Sequence, residues 1–337
     1  MRICVVGAGA IGGLLAVRLA LAGNDVAVIA RGPHLAAIRE RGMTLIQDGE
    51  RMIAPMAASD RFDAFGSQDL VILALKAHQI EPVVDDLRKL IGPNTVLLTL
   101  QNGIPWWYFQ KLGNDYDGRI VRTVDPNAKL ASTIDPDRIV GCIAYPAATI
   151  VEPGVIEHVE GIRFPIGELD GTESERARTI SVALVEAGFK APVVADIRSE
   201  IWLKLWGNLT FNPISAMTHA TLVDICQFTR TRELAASMMS EAQIVGEKLG
   251  ATFRVSLEKR IAGAEAVGKH KTSMLQDVEA GKPLEIEGML GVVVELGEVT
   301  ETPTPTLKAI YACASLLSKI IDDEGVCIRP SLRKRNN

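Results

Sequence analysis

The feature that most constrains this chain is Gly7-Ala8-Gly9-Ala10-Ile11-Gly12, placed between an apolar β-branched run, Ile3-Cys4-Val5-Val6, and a helical pattern from Leu14 to Leu21. Gly23 stops that pattern, and Val26-Ala27-Val28-Ile29 reads as a second strand. Strand, glycine turn, helix and strand make one βαβ unit. In such a unit the first glycine permits the tight turn, the second leaves room for a pyrophosphate at the backbone, and the third lets helix and sheet pack closely. The free N–H groups at the helix start then suit phosphate. A tight turn without a ligand would use the same glycines. The complete strand–turn–helix–strand context favours a dinucleotide site made by Gly7, Ala8, Gly9, Ala10, Ile11 and Gly12.

An acidic residue at the end of the second strand would select the ribose hydroxyl of NAD. The chain has Ala30-Arg31-Gly32 there, and Asp25 lies at the other end of the strand. Arg31 suits a 2′-phosphate, so NADPH is the expected cofactor. The plain alternative is a solvated surface arginine.

With 337 residues, the chain has room for two domains. The patterning changes once along it. Up to about residue 196, strands alternate with helices. Leu70–Leu75 and Thr95–Leu100 read as buried parallel strands, residues 42–58 as a hairpin around Asp48-Gly49, and Pro82–Leu90 as a helix. Ile139–Val151 and Val155–Val159 flank a Pro153-Gly154 turn, and Ile162–Ile166 and Val193-Val194 complete the strands. Beyond residue 196, helical periodicity takes over at Arg198–Asn208, Arg232–Leu249, Ser256–Val267, Glu285–Gly297 and Pro305–Ile321. Pro213 is expected to end the first of these near Asn212. The reading is an α/β Rossmann-type domain over 1–196 and an all-helical substrate domain over 197–337. Residues 106–137 form a long irregular stretch of the kind usually kept for function, and Arg333-Lys334-Arg335 reads as a frayed tail.

Net charge and cysteine spacing exclude several classes. A net charge of −5 with no basic run argues against nucleic acid. No apolar stretch approaches a membrane span, and the first apolar run is a strand of the fold rather than a signal peptide. The five cysteines and five histidines are dispersed without metal spacing. Free thiols fit a reducing cytoplasm.

In an open parallel sheet, ligands lie beyond the carboxyl ends of the strands. Lys76 follows one buried strand and Gln101-Asn102-Gly103 follows another, which marks Lys76 and Asn102 as candidates to touch cofactor or substrate. Ordinary loop chemistry is the competing account. In the helical region Lys204, Asn208 and Asn212 recur at i, i+4 and i+8, a polar stripe on one face of an otherwise apolar helix. Partial burial beside Trp202 and Trp206 would lower the lysine's pKa and fit it as a proton donor. A lysine whose stem packs on tryptophan would look the same. A third cluster holds Ser273, with a hydroxyl for a carboxylate, and the pair Glu285 and Glu287. Periodicity does not choose between the glutamates, and a capped helix start accounts for Ser273 equally well.

Together these segments resemble the ketopantoate reductase (2-dehydropantoate 2-reductase) family nearly end to end. The resemblance rests on Gly7 to Gly12, Leu75-Lys76-Ala77, Gln101-Asn102-Gly103, Lys204 with Asn208 and Asn212, Ser273-Met274-x-Gln276-Asp277, and Glu285-Ile286. It implies an NADPH-binding Rossmann domain followed by a helical domain like that of 6-phosphogluconate dehydrogenase. It also implies reduction of a 2-oxoacid, 2-dehydropantoate, to pantoate in pantothenate and coenzyme A biosynthesis. By resemblance Lys204 is the general acid and Glu285 its partner carboxylate. Asn208, Asn212 and Ser273 hold substrate, Asn102 sits near the nicotinamide, and Arg31 binds the 2′-phosphate. His78 departs from the aromatic residue common there. Ile104-Pro105-Trp106-Trp107-Tyr108 is bulkier than the family's usual segment, and its aromatics are expected to cap the crevice. The rivals are a reductase of another branched 2-oxoacid, a β-hydroxyacid dehydrogenase, and a non-catalytic NADPH sensor. The apolar C-terminal helices fit either a homodimer interface or core packing.

Overall fold

A computed structural model describes residues 1–329, and the basic Arg333-Lys334-Arg335 segment lies outside them. The chain divides into two compact units. One comprises residues 1–121 and 125–200, the other residues 122–124 and 201 onward.

The first unit is built on a seven-stranded sheet of β1 (Arg2–Val6), β2 (Asp25–Ile29), β5 (Ala57–Ser59), β6 (Gln68–Leu73), β7 (Ile91–Thr99), β8 (Ile139–Cys142) and β11 (Ile166–Glu168). The order is β11-β8-β7-β6-β1-β2-β5, parallel except for β11 against β8. Ile3, Val5, Val28, Leu70, Ile72 and Leu98 are buried in one core, as expected of parallel strands covered on both faces. Strand succession reverses between β1 and β6, which makes that junction the switch point of the sheet.

Helix α1 (Ala10–Leu21) follows β1, and α2 (Gly32–Arg41) follows β2. A second sheet, ordered β4-β3-β10-β9, holds β3 (Met43–Gln47), β4 (Glu50–Ala54), β9 (Ala147–Glu152) and β10 (Val155–Glu160). The β3–β4 hairpin turns at Asp48 and Gly49, both at positive φ, as a two-residue turn requires. The 82–90 region is less regular than the sequence pattern implies. Only α3 (Val84–Leu87) is α-helical, with 3₁₀ turns at Ala77–Gln79, Glu81–Val83 and Arg88–Leu90. Glu81-Pro82 accounts for the break, since proline supplies no N–H to continue an incoming helix. The expected 162–166 strand is displaced to Ile166–Glu168, and Val193 forms only an isolated bridge with Ile166.

The 106–137 stretch departs most from expectation. Trp106, Trp107, Tyr108 and Phe109 are all buried in the first unit. The Trp107 indole donates to Thr99 Oγ1 at 3.0 Å, and its ring occupies the space that a side chain at Gly141 would need. The aromatics are therefore core and not a cap over a crevice. Arg198 secures the same stretch by donating to the carbonyls of Tyr108 at 2.8 Å and Gln110 at 2.7 Å, as well as to that of Leu169. Burial lowers its pKa below the usual guanidinium value. Further on, the fully buried Asp125 carboxylate accepts from the N–H groups of Leu130 at 3.0 Å and Ala131 at 2.9 Å. These bonds secure the short α4 (Lys129–Thr133). The first unit also holds α5 (Glu175–Glu186), capped by Ser174, whose hydroxyl accepts from Ala177 N.

The second unit is helical. It contains α6 (Ile197–Thr218, whose first turn counts with the first unit), α7 (Leu222–Gln227), α8 (Thr229–Lys248), α9 (Leu257–Ala266), α10 (Ser273–Ala280), α11 (Val292–Val299) and α12 (Pro305–Glu324). Helix α6 does not stop near Asn212 but continues through Pro213 for another turn and a half. An interior proline costs about 3 kcal/mol. Burial of Trp206, Leu209, Phe211 and Ile214, at about 1.5–3 kcal/mol each, outweighs that cost. The expected 285–297 helix is instead a π-turn, Glu287–Gly291, leading into α11.

If the 106–109 aromatics are core, Trp107→Ala should destabilise the protein by about 3–5 kcal/mol, read as a lowered urea midpoint. A variant of unchanged stability would return these residues to the role of a cap.

Candidate active site

At the carboxyl end of β1 the backbone itself forms the first feature. Gly7 has φ +99°, and a Cβ there would lie 2.8 Å from Leu75 Cδ2 and 2.9 Å from the Ala74 carbonyl oxygen. A Cβ at Gly12 would overlap the Gly7 carbonyl oxygen and come within 2.9 Å of Ala74 Cβ. These two glycines therefore bring the end of β1, the start of α1 and the end of β6 into contact. Gly9 differs, because a Cβ there would meet nothing within 4 Å. It caps α1 without a side-chain hydrogen bond, and the first turn carries no acidic residue. Open space beside uncapped helix N–H groups fits a pyrophosphate, and Ala8, Ala10 and Ile11 complete the turn.

Arg31 is exposed at the N-cap of α2, just beyond β2. On the same helix Arg39 donates to Ala58 O and Arg41 to Pro153 O. Among the described residues, the Arg31 guanidinium makes no such bond. His34, one turn on, accepts from Gly154 N through Nδ1 at 2.9 Å. Burial holds its pKa below the usual imidazole value.

Lys76 and Asn102, both half-buried, follow β6 and β7. Gln101 links their strand ends by donating to the carbonyls of Leu73 at 2.9 Å and Leu75 at 3.3 Å. The sequence shows this amide but not its use, because its partners lie 26 and 28 residues away. Gln79 Oε1 accepts from the Lys76 N–H at 3.2 Å.

In the helical unit, Lys204, Asn208 and Asn212 lie along α6. Lys204 and Asn208 are half-buried and Asn212 is buried. Trp202 and Trp206, on either side of Lys204 in the sequence, are fully buried. The Trp206 indole donates to Met239 O at 2.8 Å, and its ring meets Phe253 edge-on. Gly207 gives α6 a notch that the Arg260 guanidinium fills, since a Cβ at Gly207 would overlap it. This cation against Gly207 has no signal in the local sequence.

Asn212 Nδ2 reaches Met289 Sδ at 3.8 Å, so α6 touches the π-turn that follows Glu285. Glu285 is half-buried in the irregular segment before that turn, whereas Glu287 is exposed and accepts from the Tyr311 hydroxyl at 2.6 Å. The structure thus gives the two glutamates different surroundings. Ser273 is the exposed first residue of α10, and the cap belongs to Thr272, which accepts from Leu275 N at 3.3 Å. That leaves the Ser273 hydroxyl outside the capping bond. Among the described residues no His, Cys, Asp and Glu cluster could hold a metal ion, and no helix is long and apolar enough to cross a membrane.

Comparison with known proteins gives one consistent result. Residues 3–171 match the family described as Ketopantoate reductase PanE/ApbA, and residues 196–318 match its C-terminal domain. The chain is 49% identical over 319 residues to the 2-dehydropantoate 2-reductase of Mesorhizobium japonicum, covering 94% of this chain and 98% of that one. Among solved structures, a candidate ketopantoate reductase from Ralstonia solanacearum MolK2 matches with a TM-score of 0.91 and 37% identity, covering 95% and 98% of the two chains. D-mandelate dehydrogenase, solved with NADH and anilino(oxo)acetate, shares the fold at a TM-score of 0.82 and 21% identity, covering 96% of this chain and 100% of that one.

The neighbours Thr272 and Ser273 can be told apart by experiment. Thr272→Ala should cost about 1 kcal/mol through loss of the cap, whereas Ser273→Ala should leave the melting temperature nearly unchanged. Equal thermal losses would show that both hydroxyls serve the helix start.

Proposed function

The chain belongs to the ketopantoate reductase family, and we propose that it reduces 2-dehydropantoate to pantoate with NADPH. The observation that carries this reading is the 49% identity, end to end, with a 2-dehydropantoate 2-reductase. The α6 stripe of Lys204, Asn208 and Asn212 supports it, because cofactor binding alone calls for no such set. We infer that residues 1–196 hold the dinucleotide and that 197–337 supply the substrate and catalytic groups.

NADPH, when bound, supplies the hydride. The Gly7–Gly12 turn and the start of α1 would hold its pyrophosphate, Arg31 its 2′-phosphate, and Lys76 and Asn102 would bind at the strand ends. Lys204 donates a hydrogen bond to the ketone oxygen, stabilises the negative charge that develops there, and delivers its proton to that atom. Asn208, Asn212 and Ser273 fix the carboxylate and hydroxyl of the 2-oxoacid, so that one carbonyl face is presented. Glu285 orients substrate and lysine. The setting we infer is cytoplasmic, supported by five cysteines that form no disulfide, three of them buried. A pair of identical chains is our reading of the assembly, supported by Leu316 and Ile320, which α12 leaves exposed.

Two substitutions test this reading. Arg31→Ala should weaken NADPH binding by about 1.5–3 kcal/mol, roughly ten- to a hundredfold, through loss of a charge-assisted contact. NADH binding should barely change, and equal use of both cofactors by the parent enzyme would remove the assignment. Lys204→Ala should lower kcat by about 10²–10⁴-fold and abolish the basic limb of its pH profile while sparing NADPH affinity. A folded Lys204→Ala protein with normal turnover of 2-dehydropantoate would overturn the mechanism.

A further inference from the structure

Glu285 lies in a segment without regular secondary structure, between the left-handed Gly281 that ends α10 and the π-turn Glu287–Gly291. Its placement depends on how that turn is wound. The N–H groups of Met289, Leu290 and Gly291 converge on one acceptor, the carbonyl of the buried Ile286, at 3.2, 2.8 and 3.3 Å. A π-turn carries one residue more than an α-turn. Rewinding it as α would rotate the preceding residues by roughly 100° about the helix axis. Such turns are rare and persist where other contacts hold them.

Those contacts are visible here. Tyr311, on α12, donates its hydroxyl to Glu287 Oε2 at 2.6 Å. Gly291 leaves the space in which the two meet, since a Cβ there would lie 2.5 Å from that carboxylate oxygen and 3.0 Å from the Tyr311 ring and hydroxyl. Burial, together with the Glu287 carboxylate, pushes the phenol up to about 12, so it remains a donor throughout the neutral range. Inside the turn, Met289 meets Asn212 of α6.

We propose that Tyr311, by holding the Glu287 carboxylate in the notch left by Gly291, sets the π-turn that presents Glu285 and braces Asn212, and so acts as a positioning residue for the reduction. The proposal rests on the reading of Glu285 as the carboxylate that orients substrate and lysine. Tyr311 and Glu287 touch neither cofactor nor substrate in this account; they act through the winding of the backbone.

The test uses the full-length enzyme with NADPH and 2-dehydropantoate, measuring kcat, KM, NADPH affinity and melting temperature. Tyr311→Phe removes only the hydroxyl. It should lower kcat/KM by about ten- to a hundredfold through misplacement of reacting groups, with KM for the 2-oxoacid raised and NADPH affinity unchanged. Glu287→Ala should reproduce the loss, and the double variant should be no worse than either single one. Glu287→Gln keeps an acceptor for the phenol and should stay within about threefold of the parent. If Tyr311→Phe proves insoluble, the contrast between Glu287→Gln and Glu287→Ala carries the test, and equal behaviour of those two overturns the proposal. Unaltered kcat and KM in a folded Tyr311→Phe protein, or a loss confined to melting temperature, also overturns it. Glu285→Gln separates the two levels. If it is impaired while Tyr311→Phe is normal, the positioning role alone fails. If it is fully active, the role of Glu285 fails and the proposal with it.

Discussion

The first unit depends on one close approach, where β1 ends, α1 begins and β6 passes beside both. Gly12 lies against the Gly7 carbonyl and Ala74, while Gly7 lies against Leu75 and Ala74. There is no room for a side chain at either position, and interiors packed at this density do not relax to admit one. The same approach that closes the core also leaves the N–H groups at the start of α1 facing open space beside Gly9. Close packing and a set of uncapped helix N–H groups beside open space are thus two results of one geometry. The neighbouring strand ends are joined to it by Gln101, whose amide links Leu73 and Leu75 to β7, so that Lys76 and Asn102 leave the sheet from a fixed base.

The helical unit solves a different problem, which is to carry polar groups on a helix largely buried along its length. Helix α6 does so by dividing its faces. Trp202, Trp206 and Leu209 are buried with the core, and Lys204, Asn208 and Asn212 follow another line, half-buried at Lys204 and Asn208 and buried at Asn212. Buried amides are costly unless partnered. Asn212 has a soft partner in Met289 Sδ, a weak acceptor. The apolar packing on either side of Pro213 keeps the helix intact where local backbone chemistry would end it, and so extends the stripe as far as Asn212.

Much of this was legible in the sequence, for reasons that also mark where legibility ends. The βαβ unit, the two sheet-end clusters and the α6 stripe depend on short-range periodicity and on the glycines, which a single chain displays directly. Trp106, Trp107 and Tyr108 read as a cap because they are bulkier than the residues usual at that place in the family. The burial of Trp107 depends on Gly141 and Thr99, neither of which signals its partner. The end expected for α6 at Pro213 followed a local rule that tertiary packing overrode. Glu285 and Glu287 are indistinguishable by pattern, because what separates them is Tyr311, 24 residues beyond Glu287. In each case the deciding contact is non-local, whereas the sequence signal is local.

The charge distribution carries the same lesson to the chemistry. The chain has a net charge of −5, yet both proposed ligands, NADPH and a 2-oxoacid, are anions. Net charge acts at a distance, and at physiological ionic strength that distance is about 8 Å. Within that range the groups that count are local: uncapped helix N–H groups at Gly9, the Arg31 guanidinium without a protein partner among the described residues, and the half-buried Lys76 and Lys204. Many of the remaining basic side chains are paired on the surface, as Arg61 is with Asp63, Lys89 with Asp86 and Arg178 with Glu173. Such exposed pairs add little stability, but they neutralise charge where no ligand binds. An acidic protein can therefore hold anionic ligands without a positive surface, provided a few of its cations stand at the ends of strands and along one helix.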